Sequence, residues 1–194
     1  MQPCAIALLL AIDVSGSISG ESYALQRDAT AAALRSPPVM RAAEDGLRTA
    51  VMMWGTGQHL VVPFDDRPAA TAARLEAVAR PEHGQTDVAM AIREGVALLA
   101  AEPCERRILD ISGDGAANAG PPSDLVEAVA GAVAAGVEVN ALPIVTALDP
   151  GVADWYREHV TGPAGGFAIE ATPEGFARAI RAKLALEIAW RGGE

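Results

Sequence analysis

Aromatic side chains are scarce in this sequence: Phe, Trp and Tyr together make up 4% of 194 residues. Hydrophobic residues nevertheless reach 51%, which argues against a disordered chain. Ala and Val carry much of that apolar content, a balance that suits Ala-rich helices packed closely on a sheet. Basic residues are outnumbered, 15 Lys and Arg against 25 Asp and Glu, for a net charge of −10. Phosphate backbones need Lys and Arg, so the charge argues against nucleic acid as a partner. It argues equally against an anionic membrane surface. The acidity needs no partner of its own, since it serves solubility. No apolar run reaches the length of a bilayer span, and no membrane insertion is expected. His59, His83 and His159 are scattered, and no pair has the spacing of metal ligands.

Several enzyme signatures are also missing. No Gly-x-Gly-x-x-Gly follows the first apolar run, and there is no Gly-x-x-x-x-Gly-Lys-Ser/Thr loop for phosphates. A Gly-x-Ser-x-Gly nucleophile elbow is absent. Phosphatases with an aspartyl nucleophile place a second Asp two residues after the first; here Ser15 stands at that position. An EF-hand loop starting at Asp13 fails as well, because Ile18 and Ala24 occupy its sixth and twelfth positions.

What is present begins with an apolar run at residues 5–12 that ends in Asp13-Val14-Ser15-Gly16-Ser17. The run reads as a strand, 5–13, buried on both faces as in a parallel sheet. It has no basic n-region and no small-residue cleavage site, so it is not a signal peptide. A strand this apolar needs a reason to end in a carboxylate and two hydroxyls. Three short oxygen-bearing side chains at alternate positions can converge if the chain turns sharply, which Gly16 permits. Hard divalent cations take oxygen ligands and need only one or two carboxylates.

The rest of the chain alternates helix and strand. Residues 19–34 form a helix with Ser19 as N-cap, and Pro37-Pro38 lie beyond its end. Strands at 47–54 and 59–64 flank Gly55-Thr56-Gly57 as a hairpin. A helix over 67–79 follows, then a loop at 84–87. Val88, Ile92, Val96 and Leu99 recur at helical spacing. A strand at 107–112 leads into Gly113-Asp114-Gly115. Beyond it come a helix at 124–135, a strand at 137–145, a short helix at 150–160 and a short strand at 167–169. A final helix starts with Thr172 as N-cap and Pro173 at its first position. This order predicts a three-layer α/β fold: a doubly wound, mostly parallel sheet with one antiparallel edge strand, in one domain spanning 1–194. Ligands of such sheets bind beyond the carboxyl ends of the strands, where both acidic motifs fall.

Cys4 precedes Asp13 by nine residues and Cys104 precedes Asp114 by ten. If the two strands are parallel neighbours, the cysteines meet at the opposite sheet edge, a register that suits a disulfide. Such a bond implies an oxidising compartment. Two unrelated buried thiols are the alternative. Trp54, Trp155 and Trp190 read as packing residues. Asp65-Asp66 and Glu44-Asp45 read as solvated surface acids.

With these motifs placed, the chain resembles von Willebrand factor A domains over nearly its whole length. In that family a first loop supplies an Asp and two serines, a second a Thr and a third an Asp to a metal-ion-dependent adhesion site. The matching residues are Asp13, Ser15 and Ser17, then Thr86, then Asp114. More narrowly, residues 13–17, Leu25-Gln26-Arg27, 112–115 with Asn118, and 179–184 resemble an uncharacterised, often exported bacterial group (DUF1194-like).

The resemblance implies a Rossmann-like sheet and a site for Mg²⁺, with Mn²⁺ or Ca²⁺ as substitutes. It also implies a non-enzymatic binding module whose partner is a protein or peptide supplying an Asp or Glu carboxylate. A monomer in the periplasm or secreted is expected; export would place a leader ahead of the first strand, which the sequence leaves open. Other readings stand beside these. Asp13 and Ser17 could cap the first helix, Asp114 could cap a turn, and Asp87 could cap the third helix or replace Thr86 as ligand. Asn118 reads as a brace for its own loop, and His83 as a solvated neighbour of the site. The competing functions are a metal-dependent hydrolase or phosphoryl-transfer enzyme, or a scaffold with a vestigial site.

Overall fold

Strand β1 (Ile6–Asp13) is the axis of the molecule, and its pattern shows how the layers form. In the computed structural model, which describes residues 4–81 and 84–189, its side chains alternate between two cores. Leu8, Leu10 and Ile12 face one core, and Ala7, Leu9 and Ala11 the other. Burying each of the larger aliphatic side chains stabilises the fold by about 1.5–3 kcal/mol. The elements that follow are α1 (Gly20–Leu34), α2 (Pro37–Glu44), β2 (Leu47–Trp54), β3 (Gln58–Asp65) and α3 (Pro68–Glu76). Then come α4 (Val88–Ala100), β4 (Arg106–Gly113), α5 (Pro122–Ala134), β5 (Glu138–Pro143), α6 (Val152–Tyr156) and α7 (Phe176–Ala189), with a π-helical turn, Arg157–Thr161, after α6.

The sheet has five strands in the order β3-β2-β1-β4-β5. β1 is parallel to β2 and β4, β4 is parallel to β5, and only the edge strand β3 runs antiparallel. One core lies under α1, α2, α3 and α7, and the other under α4, α5 and α6. The second core is rich in alanine, with Ala50, Ala89, Ala91, Ala128, Ala132 and Ala141 all buried. Small side chains let α4 approach β4 so closely that a Cβ on Gly95 would sit 2.8 Å from Leu109 Cδ1. The scarcity of aromatics therefore matches the close helix-to-sheet spacing. Among the described residues no helix is long and apolar enough to cross a membrane.

Cys4 and Cys104 form a disulfide with Cα atoms 4.6 Å apart. The ladder explains the pairing: Ile6 lies opposite Arg106, and Glu105 N donates to Cys4 O at 3.1 Å. The parallel register predicted from sequence is the one observed.

Some expectations need correction. Pro37-Pro38 lie beyond the end of α1 as expected, but they also open α2, a helix the sequence reading did not include; proline is tolerated there because first-turn N–H groups have no intrahelical partner. Thr172 caps a turn instead of the last helix: its Oγ1 accepts from Gly175 N at 3.2 Å, and α7 begins at Phe176. The stretch 167–169 makes only isolated bridges, Ala168 pairing with Ala141. Asp65 is not solvated. It is 8% exposed, accepts from Arg67 Nε at 2.9 Å, and meets Arg74 at 3.2 Å. Those guanidinium groups, Arg67 first, hold its carboxyl below the usual carboxylate range. Trp54 is fully buried, its Nε1 donating to Ala11 O, and Trp155 packs on the second core. His83 and Trp190 lie outside the described residues.

Candidate metal centre

β1 and β4 are adjacent and parallel, so their carboxyl ends release two loops side by side. Loop one carries Asp13, Ser15 and Ser17, and loop three, after β4, carries Asp114. Ser15 N donates to Asp13 Oδ1 at 2.7 Å, the tight turn expected of an Asp two residues ahead of a free N–H. That turn brings the Ser15 and Ser17 hydroxyls to 3.2 Å from each other. Ser17 Oγ in turn donates to Asp114 Oδ1 at 2.5 Å, joining loop one to loop three across 97 residues of sequence. Helix α1 takes its cap from Ser19, whose hydroxyl accepts from Ser22 N, so capping does not account for Asp13 or Ser17.

Loop two, residues 84–87, reaches both of the others. Gly16 N donates to Gly84 O at 2.8 Å. A Cβ on Gly84 would lie 2.1 Å from Thr56 Oγ1, so only glycine fits under the hairpin turn. Thr86 N donates to Asn118 Oδ1 at 2.8 Å, and Asn118 N returns a bond to Thr86 O at 3.1 Å. The Thr86 side chain is buried, with its Oγ1 3.9 Å from where a Cβ on Gly115 would stand. Asp87 caps α4 by accepting from Met90 N. The three loops are thus tied pairwise, and Asn118 is a brace between loops, wider than the single-loop role its sequence suggests.

The electrostatics are unusual for surface loops. Asp13 is fully buried, and its Oδ2 has no hydrogen-bond partner among the described residues. Burial pushes its carboxyl up to about 7, against the lowering effect of the Ser15 hydrogen bonds, and the nearby charge of Asp114 adds to the rise. Tyr156, also fully buried, turns an unpartnered hydroxyl to the same spot, and burial pushes that phenol well above its usual range. Gly113 keeps the space open: a Cβ there would stand 2.6 Å from Tyr156 Oη and 2.9 Å from Asp13 Oδ2. Sequence reasoning missed Tyr156 and Gly113. The Ser-Gly-Asp-Gly run was a signal for the second, but nothing local marks a tyrosine arriving from α6.

Asp13, Ser15, Ser17 and Asp114 therefore share one edge, with Thr86 in the adjoining loop. Every donor is oxygen; among the described residues no three His, Cys, Asp or Glu side chains gather into a metal-holding group, here or elsewhere, and this site offers two carboxylates with hydroxyls. A buried, unpartnered carboxylate oxygen near a second carboxylate and two serine hydroxyls, with Thr86 in the adjoining loop, fits a hard divalent cation, which relieves both desolvation and repulsion. A cavity of about 940 Å³ lies elsewhere, between α5 and the π-helical turn, and none of the five residues lines it.

No curated protein matches the chain in sequence. Proximal thread matrix protein 1 from the mussel byssus is similar in structure, with a TM-score of 0.73 at 18% identity, covering 96% of this chain and 48% of that one. The chain thus spans about half that protein's length. The same mussel protein is also known with zinc in its MIDAS motif, at a TM-score of 0.70 and 17% identity, covering 96% and 48%. The BatB protein of Bacteroides thetaiotaomicron gives 0.73 at 13% identity over 95% and 99% of the two chains. The vWF domain of the type V pilus tip protein Mfa5 from Porphyromonas gingivalis gives 0.72 at 13% identity over 99% and 98%. The fold is thus that of von Willebrand factor A domains, and with a family model matched over residues 3–192 the chain belongs to DUF1194, described as a protein of unknown function.

Proposed function

We propose that this chain is a divalent-metal-dependent binding module of the adhesion type, a single domain that acts as a monomer outside the cytoplasm. The observation that carries the reading is the buried, unpartnered Oδ2 of Asp13 in an all-oxygen cluster at the carboxyl edge of the sheet. Asp13, Ser15, Ser17, Thr86 and Asp114 would hold the ion, with Mg²⁺ the first choice and Mn²⁺ or Ca²⁺ accepted. Once bound, the ion supplies positive charge and an open position for an Asp or Glu carboxylate of a protein or peptide partner. The chain's own two carboxylates balance the ion's charge, so an incoming anion is not held too tightly to leave. Ser15 N orients Asp13, and Asn118 orients the loop of Thr86. Export is supported by the disulfide, which persists in oxidising compartments. The zinc-occupied MIDAS motif of the mussel protein and the pilus-tip role of Mfa5 support the same class of function.

The test is thermal melting with EDTA, Mg²⁺, Mn²⁺ or Ca²⁺, beside an Asp13→Ala variant. A ligand bound only by the folded state stabilises it by about 2.7 kcal/mol at a hundredfold excess over its dissociation constant. A divalent ion should raise the melting temperature of the wild type and leave the variant unmoved. An equal shift in both proteins, or none in either, would sink the metal reading.

A further inference from the structure

The underside of α7 holds a cluster that the metal-dependent reading does not use. Lys183 and Glu187 on α7 and Asp110 on β4 are 0%, 0% and 2% exposed. Lys183 Nζ lies 2.6 Å from Asp110 Oδ1 and 2.5 Å from Glu187 Oε1. The contact with Glu187 is a hydrogen bond. The contact with Asp110 is an ion pair, and neither oxygen of that carboxylate has a well-formed hydrogen bond among the described residues. Asn140, opposite Asp110 in the sheet, accepts from Phe167 N at Oδ1 and donates to Glu138 from Nδ2. The Phe167 ring, 5.4 Å from Nζ, covers the amine.

We propose that Lys183 and Asp110 become joined by an intramolecular amide bond, with Glu187 moving the protons. The step begins when the ammonium passes one proton to the Asp110 carboxylate, leaving a neutral amine against a neutral acid. The Nζ lone pair attacks Asp110 Cγ and forms the C–N bond. Glu187 takes a second proton from nitrogen at Oε1 and gives its own proton from Oε2 to the departing hydroxyl. The C–O bond breaks and water leaves. One ammonium and one carboxylate have become one amide and one water, with no net charge gained or lost and no oxidant or activating group needed.

Four observations support this chemistry. Burial, with the Asp110 charge adding to it, pushes the Glu187 carboxyl upward, toward its protonated form. Its Oε2, where that proton would sit, has no hydrogen-bond partner. A small cavity of about 10 Å³ borders Asp110, near the size of one water, and is room for the released product. Finally, an amine and an acid fixed in contact react at effective concentrations of about 10⁵–10⁸ M, and the amide removes the desolvation cost of two buried charges.

The test is the intact mass of the full, oxidised wild-type chain measured after denaturation, which requires no variant to fold. The expected mass is one water below that of the sequence with its disulfide. Trypsin should leave the peptide that begins at Ile108 attached to the one containing Lys183. Glu187→Gln and Asp110→Ala should each restore the full mass. The proposal is overturned if the wild type keeps its full mass after long incubation at neutral pH. It is equally overturned if the missing water maps to another site, such as a cyclic imide at Asp114-Gly115, or persists in Lys183→Arg. Because this bond lies apart from the three loops, its failure would leave the metal reading untouched.

Discussion

Removing the Cys4–Cys104 bond by Cys→Ser substitution at both positions should lower stability by a definite amount. The bond joins residues 100 apart in sequence. In the chain-entropy model, closing a loop of that size costs the unfolded state about 4.7 kcal/mol of freedom, and native disulfides typically contribute about 2–5 kcal/mol. In the folded state the bond continues a ladder already in register, with Ile6 opposite Arg106. The assay is equilibrium urea unfolding of oxidised wild type and the double Ser variant at the same pH. The midpoint should fall, and the denaturant slope should rise as the unlinked unfolded chain expands. A stability difference under about 1 kcal/mol with an unchanged slope would refute the reasoning, since it would mean the unfolded chain never uses the freedom that the bond removes.

Two further outcomes are expected. Gly113→Ala should destabilise by about 1–3 kcal/mol through overpacking, because its Cβ would stand 2.6 Å from Tyr156 Oη; calorimetry with and without Mg²⁺ should show both a lower melting point and a weaker ion response. Asp65→Asn should unfold more readily than wild type at neutral pH. The folded pKa of Asp65 is depressed, so its contribution is present above the ordinary value of 3.8 and fades as pH falls through the lower folded value; urea midpoints of the two proteins should converge in acid.

The parts of the fold that could be read from sequence rest on patterns that report position directly. An apolar run ending in Asp-x-Ser-x-Ser marks both a central strand and the edge where it ends. The two cysteines, at matching distances from Asp13 and Asp114, reveal the parallel register of β1 and β4. Asp87, followed by helical spacing, reads as the cap it is. What could not be read depends on tertiary context. Asp65 looks like a surface acid until β2 and α3 fold over it, with Arg74 arriving from the helix. Lys183 and Glu187, four apart on a helix, have the spacing of a solvent-facing ion pair. Only the docking of α7 on β4 turns that face inward. The clearest unread signal was Asp110: a charge in the middle of an apolar strand asks, by its position alone, for a buried cation to pair with it.

The place of β1 in the sheet has a mechanical consequence. It lies between two parallel neighbours, eight residue pairs with β2 and seven with β4, with its C-terminal end at the three loops. Tension applied at those loops runs along the strand axis. Both ladders are then loaded in shear, with many hydrogen bonds sharing the force, and no end is left to unzip bond by bond. The Cys4–Cys104 bond at the far edge couples β1 to β4, so the two strands bear the pull as one cable.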